Sequence, residues 1–145
     1  TEIERKLANE GRLKGSVVTP DYDFLDPKLD SYYEFMYQTF HDWMFSNTGM
    51  LSKLRWHRFE VAVLEKFYPY AQGITEYKNS LKKNIASSNS LFFQTAERAA
   101  IIFEGKEPDS EGQLKTLDKL QSVELERINS KLDKGMSEFQ RQQLD

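Results

Sequence analysis

The sequence predicts an all-α domain, arranged as an elongated helical bundle or hairpin with one long kinked central helix. Apolar residues recur at spacings of three and four over most of the chain, which is the period of an amphipathic helix. Aromatic residues make up 13% of the 145 residues, more than disordered chains usually carry. No segment alternates apolar and polar residues over a strand's length, so no strands are expected. A chain of this length can bury one core without disulfides, and it contains no cysteine.

Residues 1–25 are predicted to form an N-terminal arm that is flexible or straps onto a neighbour. Gly11, Gly15 and Pro20 interrupt any regular element there, leaving room for one helical turn near residues 3–7. Residues 26–145 are predicted to form a single helical domain.

The first long helix is predicted over residues 27–47. Asp26 can accept from free N–H groups of its first turn, and Pro27 suits the first helical position. Gly49 can end it. Its apolar residues cover so much of its girth that it needs neighbours on more than one side.

The central helix is predicted over about residues 51–104. One row of residues keeps the steps of three and four throughout, as in a coiled coil, and it is expected to look inward and to form the interface with further copies of the chain or with a helical partner. We name this row the seam; it comprises Trp56, Phe59, Val63, Phe67, Tyr70, Ile74, Tyr77, Leu81, Ile85, Ser88, Phe92, Thr95, Ala99 and Ile102.

Two places interrupt the helical pattern of this segment: residues 69–73, which contain Pro69 and Gly73, and the serine-rich residues 86–90. Neither shifts the phase of the seam. The unbroken phase favours a single helix kinked near Pro69, with a break at either place as the alternative. After a loop near residues 105–112, a last helix is predicted over residues 113–142.

Charge is distributed in blocks along the chain. Residues 50–106 carry nine basic and five acidic groups, whereas residues 26–49 carry one and four, and residues 107–145 six and nine. The middle is therefore +4 and lies between two segments of −3. Such blocks are expected to pair within one molecule or between copies.

The sequence indicates no catalytic chemistry. Cysteine is absent, the glycines are scattered, and no serine lies in a nucleophile-elbow pattern. His41 with Glu34 and His57 with Glu60 lack the paired Glu-x-x-His pattern of bundle metal sites. We therefore expect no enzyme activity, no cofactor and no metal.

Two further sets of residues are candidates for binding. Basic residues near aromatic ones can hold phosphates, and this candidate anion or nucleic-acid contact comprises Lys53, Arg55, Arg58, Lys82 and Lys83. Tyrosine hydroxyls inside a helical domain can line a ligand pocket, and the candidates are Tyr32, Tyr37 and Tyr77.

The function predicted from these observations is a non-enzymatic helical assembly or protein-interaction module, either a homo-oligomer or bound to a helical partner within a larger complex. The alternatives are the extracytoplasmic helical-bundle sensor domain of a membrane receptor and a nucleic-acid-binding oligomer such as a viral packaging subunit. No membrane insertion by this segment is expected, since no apolar run approaches the ~20 residues needed to span a bilayer.

Overall fold

The computed structural model describes residues 1–16, 18–105 and 108–144, and it confirms the all-α fold class. One short helix and a small hairpin precede four long helices. In chain order the elements are α1 (Glu2–Asn9), β1 (Leu13–Gly15), β2 (Pro20–Tyr22), α2 (Pro27–Phe45), α3 (Met50–Phe67), α4 (Ile74–Phe103) and α5 (Ser110–Leu144).

The N-terminal segment is more regular than the sequence indicated. Thr1 caps α1, its hydroxyl accepting from the backbone N–H of Glu4 at 3.2 Å. The strands β1 and β2 pair antiparallel, with Leu13 opposite Tyr22. The expectation of no strands is wrong here, because strands of three residues are too short to show an alternating pattern. The ring of Phe24 then lies 6.1 Å from that of Tyr33 and connects the hairpin to α2.

Helix α2 begins where the capping residues predicted. Asp26 accepts from the backbone N–H of Lys28 at 2.9 Å, and Pro27 is the first helical residue. After the short break at residues 46–49, α3 continues the path, so that residues 27–67 form the long bent helix of this fold. A Cβ at Gly49 would lie 2.1 Å from the carbonyl oxygen of Asp42. Only glycine therefore fits this corner without a backbone shift.

The prediction of one helix over residues 51–104 is wrong at Pro69. Helix α3 ends at Phe67, and the chain turns before α4 begins at Ile74. Proline lacks the N–H that a continuing helix would need. Gly73 completes the turn with φ +81°, a conformation that strains residues with a side chain.

The serine-rich stretch, in contrast, is helical. Residues 86–90 lie inside α4, and Ser88 is only 1% exposed. Helix α5 begins at Ser110, three residues earlier than predicted. Lys106 and Glu107, in the predicted loop before it, lie outside the described residues.

The packing is organised around α4 and α5, which make the most extensive contact in the molecule. Helix α2 packs on the C-terminal half of α4, where the Phe40 and Phe92 rings lie 4.9 Å apart. Helix α3 packs on its N-terminal half and on the C-terminal half of α5. The main core between α3, α4 and α5 comprises Met50, Leu54, Val61, Ile74, Tyr77, Leu81, Ile128, Leu132 and Phe139.

The continuous α4 predicts a severe effect for Ser88→Pro. A proline in a helix interior removes a hydrogen bond and clashes with the preceding turn, so the free energy of unfolding should fall by about 3 kcal/mol or more. Urea unfolding followed by circular dichroism measures it. The control is Ser88→Ala, which should change stability by less than about 1 kcal/mol, because the serine hydroxyl has no hydrogen-bond partner among the described residues. Equal stability of the two variants would contradict a continuous helix.

Candidate interaction surface

Helix α3 has two apolar faces, and only one of them belongs to the core. Met50, Leu54, His57 and Val61 are buried against α4 and α5. On the opposite side, the exposed fractions are 65% for Trp56, 61% for Phe59, 37% for Val63 and 65% for Phe67. These last four residues are here called the α3 stripe. Large exposed apolar patches of this kind are typical of interaction sites.

The seam is therefore not one continuous surface. Its members on α4 face the inside of the bundle: Ile85 and Phe92 are half-buried, and Ile74, Tyr77, Leu81, Ser88, Thr95, Ala99 and Ile102 are buried. Its members on α3 are the exposed stripe, and Tyr70 in the following turn is 98% exposed. The sequence placed the wrong face of α3 inward, and the part of the seam that can meet a partner is the α3 stripe.

Basic side chains surround the α3 stripe. Arg55, Arg58 and Lys66 are exposed on the same helix, and the ammonium of Lys66 lies 5.6 Å from the centroid of the Phe67 ring. Across residues 1–16, 18–105 and 108–144, none of these three forms an ion pair with a carboxylate. Two acidic residues lie on this part of α3: Glu65, which pairs with Lys78 at 2.5 Å, and the half-buried Glu60, whose carboxyl has its pKa raised by burial.

The five basic residues predicted to contact an anion do not form one patch. Lys53 turns inward to α5, where its ammonium donates to Asn129 at 2.6 Å and pairs with Asp133 at 2.5 Å. Lys82 and Lys83 lie on α4, and neighbouring residues of a helix point about 100° apart. Of these five residues, only Arg55 and Arg58 are exposed on the helix that carries the α3 stripe.

The three tyrosines predicted to line a pocket lie in three different places. The Tyr32 hydroxyl donates to the carbonyl of Ala96 at 3.2 Å. Tyr77 is buried beside His57. Tyr37 is exposed on α2, its ring 6.2 Å from that of Tyr33. No common site results from these positions.

Helix α2 carries a second exposed apolar surface. Leu29, Tyr33 and Tyr37 follow one another at four-residue spacing and are all exposed. We call these three residues the α2 stripe. The charged residues exposed on the same helix are Lys28, Glu34 and Asp42, and at about 100° per residue Asp42 lies on the opposite side of the helix from this stripe.

A buried polar pair connects α3 to α4, and sequence reasoning did not identify it. His57 is 2% exposed, and its Nδ1 lies 2.5 Å from the hydroxyl of Tyr77. Burial, followed by the charge of Lys53, lowers the pKa of His57, whereas Asp133 opposes this shift. Burial also raises the pKa of Tyr77, with a smaller contribution from Glu60. Both rings are therefore held neutral, and the tyrosine hydroxyl can donate to the imidazole.

The described residues contain no group of three or more His, Cys, Asp or Glu side chains placed to hold a metal ion. Among them, too, no helix has the length and apolarity that crossing a bilayer requires. Comparison with protein-family models, curated proteins and solved structures gives no significant match to this chain. Its function must therefore be inferred from its own surfaces.

The buried His57 predicts a loss of stability in mild acid. Its pKa is lowered in the folded state, so the unfolded chain binds the extra proton, and the free energy of unfolding should decrease as the pH falls below about 6.5. Urea unfolding between pH 7.5 and 5.5 measures this change. His57→Gln should flatten the dependence. The other histidine supplies the control, and a His41→Gln variant that lost the dependence would contradict this assignment.

Proposed function

We propose that this chain is a non-enzymatic assembly module that binds a second helical surface through the α3 stripe. The observation that carries the proposal is the second apolar face of α3, whose first face is already filled by the core of the same molecule. Burying an apolar side chain of this size contributes about 1.5–3 kcal/mol. Trp56, Phe59 and Phe67 are each more than half exposed, so covering them with a partner would favour association.

The shape of the stripe favours a helix as the partner. The residues from Trp56 to Phe67 follow spacings of three, four and four, and at 1.5 Å per residue they extend about 16 Å along α3. Such a row is three turns long and one or two side chains wide, which matches the contact face of one helix.

The surroundings of the two histidines support a role without catalysis. A general base has to reach its substrate, but His57 is closed into the core beside Tyr77. His41 lies on α2 with Asp42 as its partner at 3.1 Å, and neither histidine has a serine hydroxyl as a hydrogen-bond partner among the described residues.

Light scattering on a sizing column, at low and at high salt, tests this proposal. We expect a defined oligomer at both salt concentrations, because the interface has an apolar centre. The variant Trp56→Gln/Phe59→Gln/Phe67→Gln should elute with the mass of one chain. Glutamine keeps the helix propensity high, so its helical content should match that of the unmodified chain.

The matched control replaces three apolar residues that are equally exposed elsewhere, as Phe93→Gln/Leu120→Gln/Val123→Gln. This variant should remain assembled. A single-chain mass for the unmodified protein at both salt concentrations would contradict self-assembly, and an oligomer that survives loss of the α3 stripe would contradict the assigned surface.

A further inference from the structure

A groove between α4 and α5 is lined by basic side chains that have no ion-pair partner. Its volume is about 510 Å³, which lies within the range of small-molecule sites. Lys83 of α4 lines one wall, and Lys131 and Lys134 of α5 line the other. Across residues 1–16, 18–105 and 108–144, none of these three lysines pairs with a carboxylate. We call this site the lysine groove.

A buried amide also lines the lysine groove. Asn84 is only 5% exposed, and its side chain has no hydrogen-bond partner among the described residues. Buried polar groups normally have such a partner, so each exception needs an explanation. A ligand in the groove that accepts from the amide N–H would supply the missing partner.

Two serines and a glycine complete the groove. The hydroxyls of Ser80 and Ser87 line it, and within the described part of the chain neither has a hydrogen-bond partner. Gly135 lies inside the long helix α5, where glycine lowers helix stability relative to alanine. A Cβ at this position would lie 3.3 Å from the Ser80 hydroxyl oxygen. The glycine therefore leaves this hydroxyl accessible to a ligand.

The charges that line the groove match an anion with two negative charges. The three lysines are offset by one carboxylate, that of Glu138, which leaves a net charge of +2. Glu138 in turn faces Arg141 at 4.0 Å. A phosphate monoester carries about −1.5 to −2 at neutral pH and offers three acceptor oxygens. Lysine ammonium groups bind phosphate as point charges, whereas a carboxylate would supply only one charge.

The surroundings of the groove favour a small molecule over a nucleic acid. Glu76 lines the next cavity towards the turn at Gly73. In the other direction along α5, Arg127 is already paired with Glu124. A nucleic acid needs a row of free basic groups that follows its backbone, and among the described residues no such row extends from the groove along either helix.

From these observations we infer that the lysine groove binds the phosphate group of a small phosphorylated molecule. The three ammonium groups and the Asn84 amide donate to the phosphate oxygens, and the hydroxyls of Ser80 and Ser87 add two further donors. None of the residues that line the groove belongs to α2 or α3. This site is therefore separate from the α3 stripe, and the inference does not rest on the proposed function.

Isothermal titration calorimetry with inorganic phosphate tests the site, and acetate at the same ionic strength is the comparison anion. We expect one phosphate per chain and an affinity for acetate that is about tenfold or more lower. Absence of phosphate binding, or equal affinities for the two anions, would overturn the inference.

Two further probes identify the source of the phosphate group. Glycerol phosphate should bind more tightly than inorganic phosphate, because the groove has room beyond one phosphate group. A DNA oligonucleotide without terminal phosphates should not displace either of them. Displacement by this oligonucleotide would replace the inference with nucleic-acid binding.

Removal of the three charges tests the assigned residues. The variant Lys83→Gln/Lys131→Gln/Lys134→Gln should bind phosphate about tenfold or more weakly, and its circular dichroism should be unchanged because all three lysines are exposed. The matched control is Lys82→Gln/Lys115→Gln/Lys119→Gln, which loses the same charge from exposed positions elsewhere. Equal affinities of the two variants would contradict binding in the groove.

The variant Asn84→Leu tests the buried amide without changing any charge. Its affinity for phosphate should fall about tenfold. Its melting temperature should stay the same or rise, because a buried amide without a partner opposes folding. A lower melting temperature with unchanged phosphate affinity would mean that Asn84 stabilises the fold and is not a ligand-binding residue.

The same variants separate this inference from the proposed function. The variant that lacks Lys83, Lys131 and Lys134 should have the same mass in light scattering as the unmodified protein. Conversely, the variant without the aromatic residues of the α3 stripe should still bind phosphate. Loss of phosphate binding in that variant would contradict a site formed by α4 and α5 alone.

Discussion

The antiparallel contact between α4 and α5 is the interaction on which the rest of this structure depends. It creates a long two-helix surface with a groove on one side, and α2 and α3 fill that groove one after the other. A three-helix cross-section of this kind gives each outer helix only one face to bury. The aromatic residues on the other faces of α2 and α3 therefore remain exposed to solvent.

The contact between α4 and α5 is not purely apolar. Asn84, Ser88, Thr95 and Gln121 are buried along it, and neither the Ser88 hydroxyl nor the Gln121 carbonyl oxygen has a hydrogen-bond partner among the described residues. A buried polar atom without a partner costs about 1–3 kcal/mol. Small side chains such as Ser88 also allow two helices to approach closely. The α4–α5 pair thus loses part of its stability through these unpaired polar atoms, while its small side chains let the two helices pack closely.

Much of the fold could be predicted from the sequence, because helical spacing and capping residues act locally. The break at Pro69 could not be placed from the sequence, because the six-residue turn between α3 and α4 preserves the three-and-four spacing of the seam. This spacing does not show whether the chain continues straight or turns. The inward face of α3 was misassigned for a different reason. Two rows on this helix are apolar, and the buried one includes His57, whose cost of burial is offset by Tyr77 on another helix.

The short break at residues 46–49 has a consequence for the cooperativity of the molecule. Helix α2 covers one half of the α4–α5 hairpin and α3 covers the other, and they are joined by only a few residues. Elements that share few contacts can open as separate units, each with its own free energy of opening. Trp43, near the end of α2, packs against the core beneath α3, so the two covers are coupled at the break. Helix α2 can therefore open from its N-terminal end at Pro27 first, and its amide hydrogens there can exchange with solvent before those near Trp43.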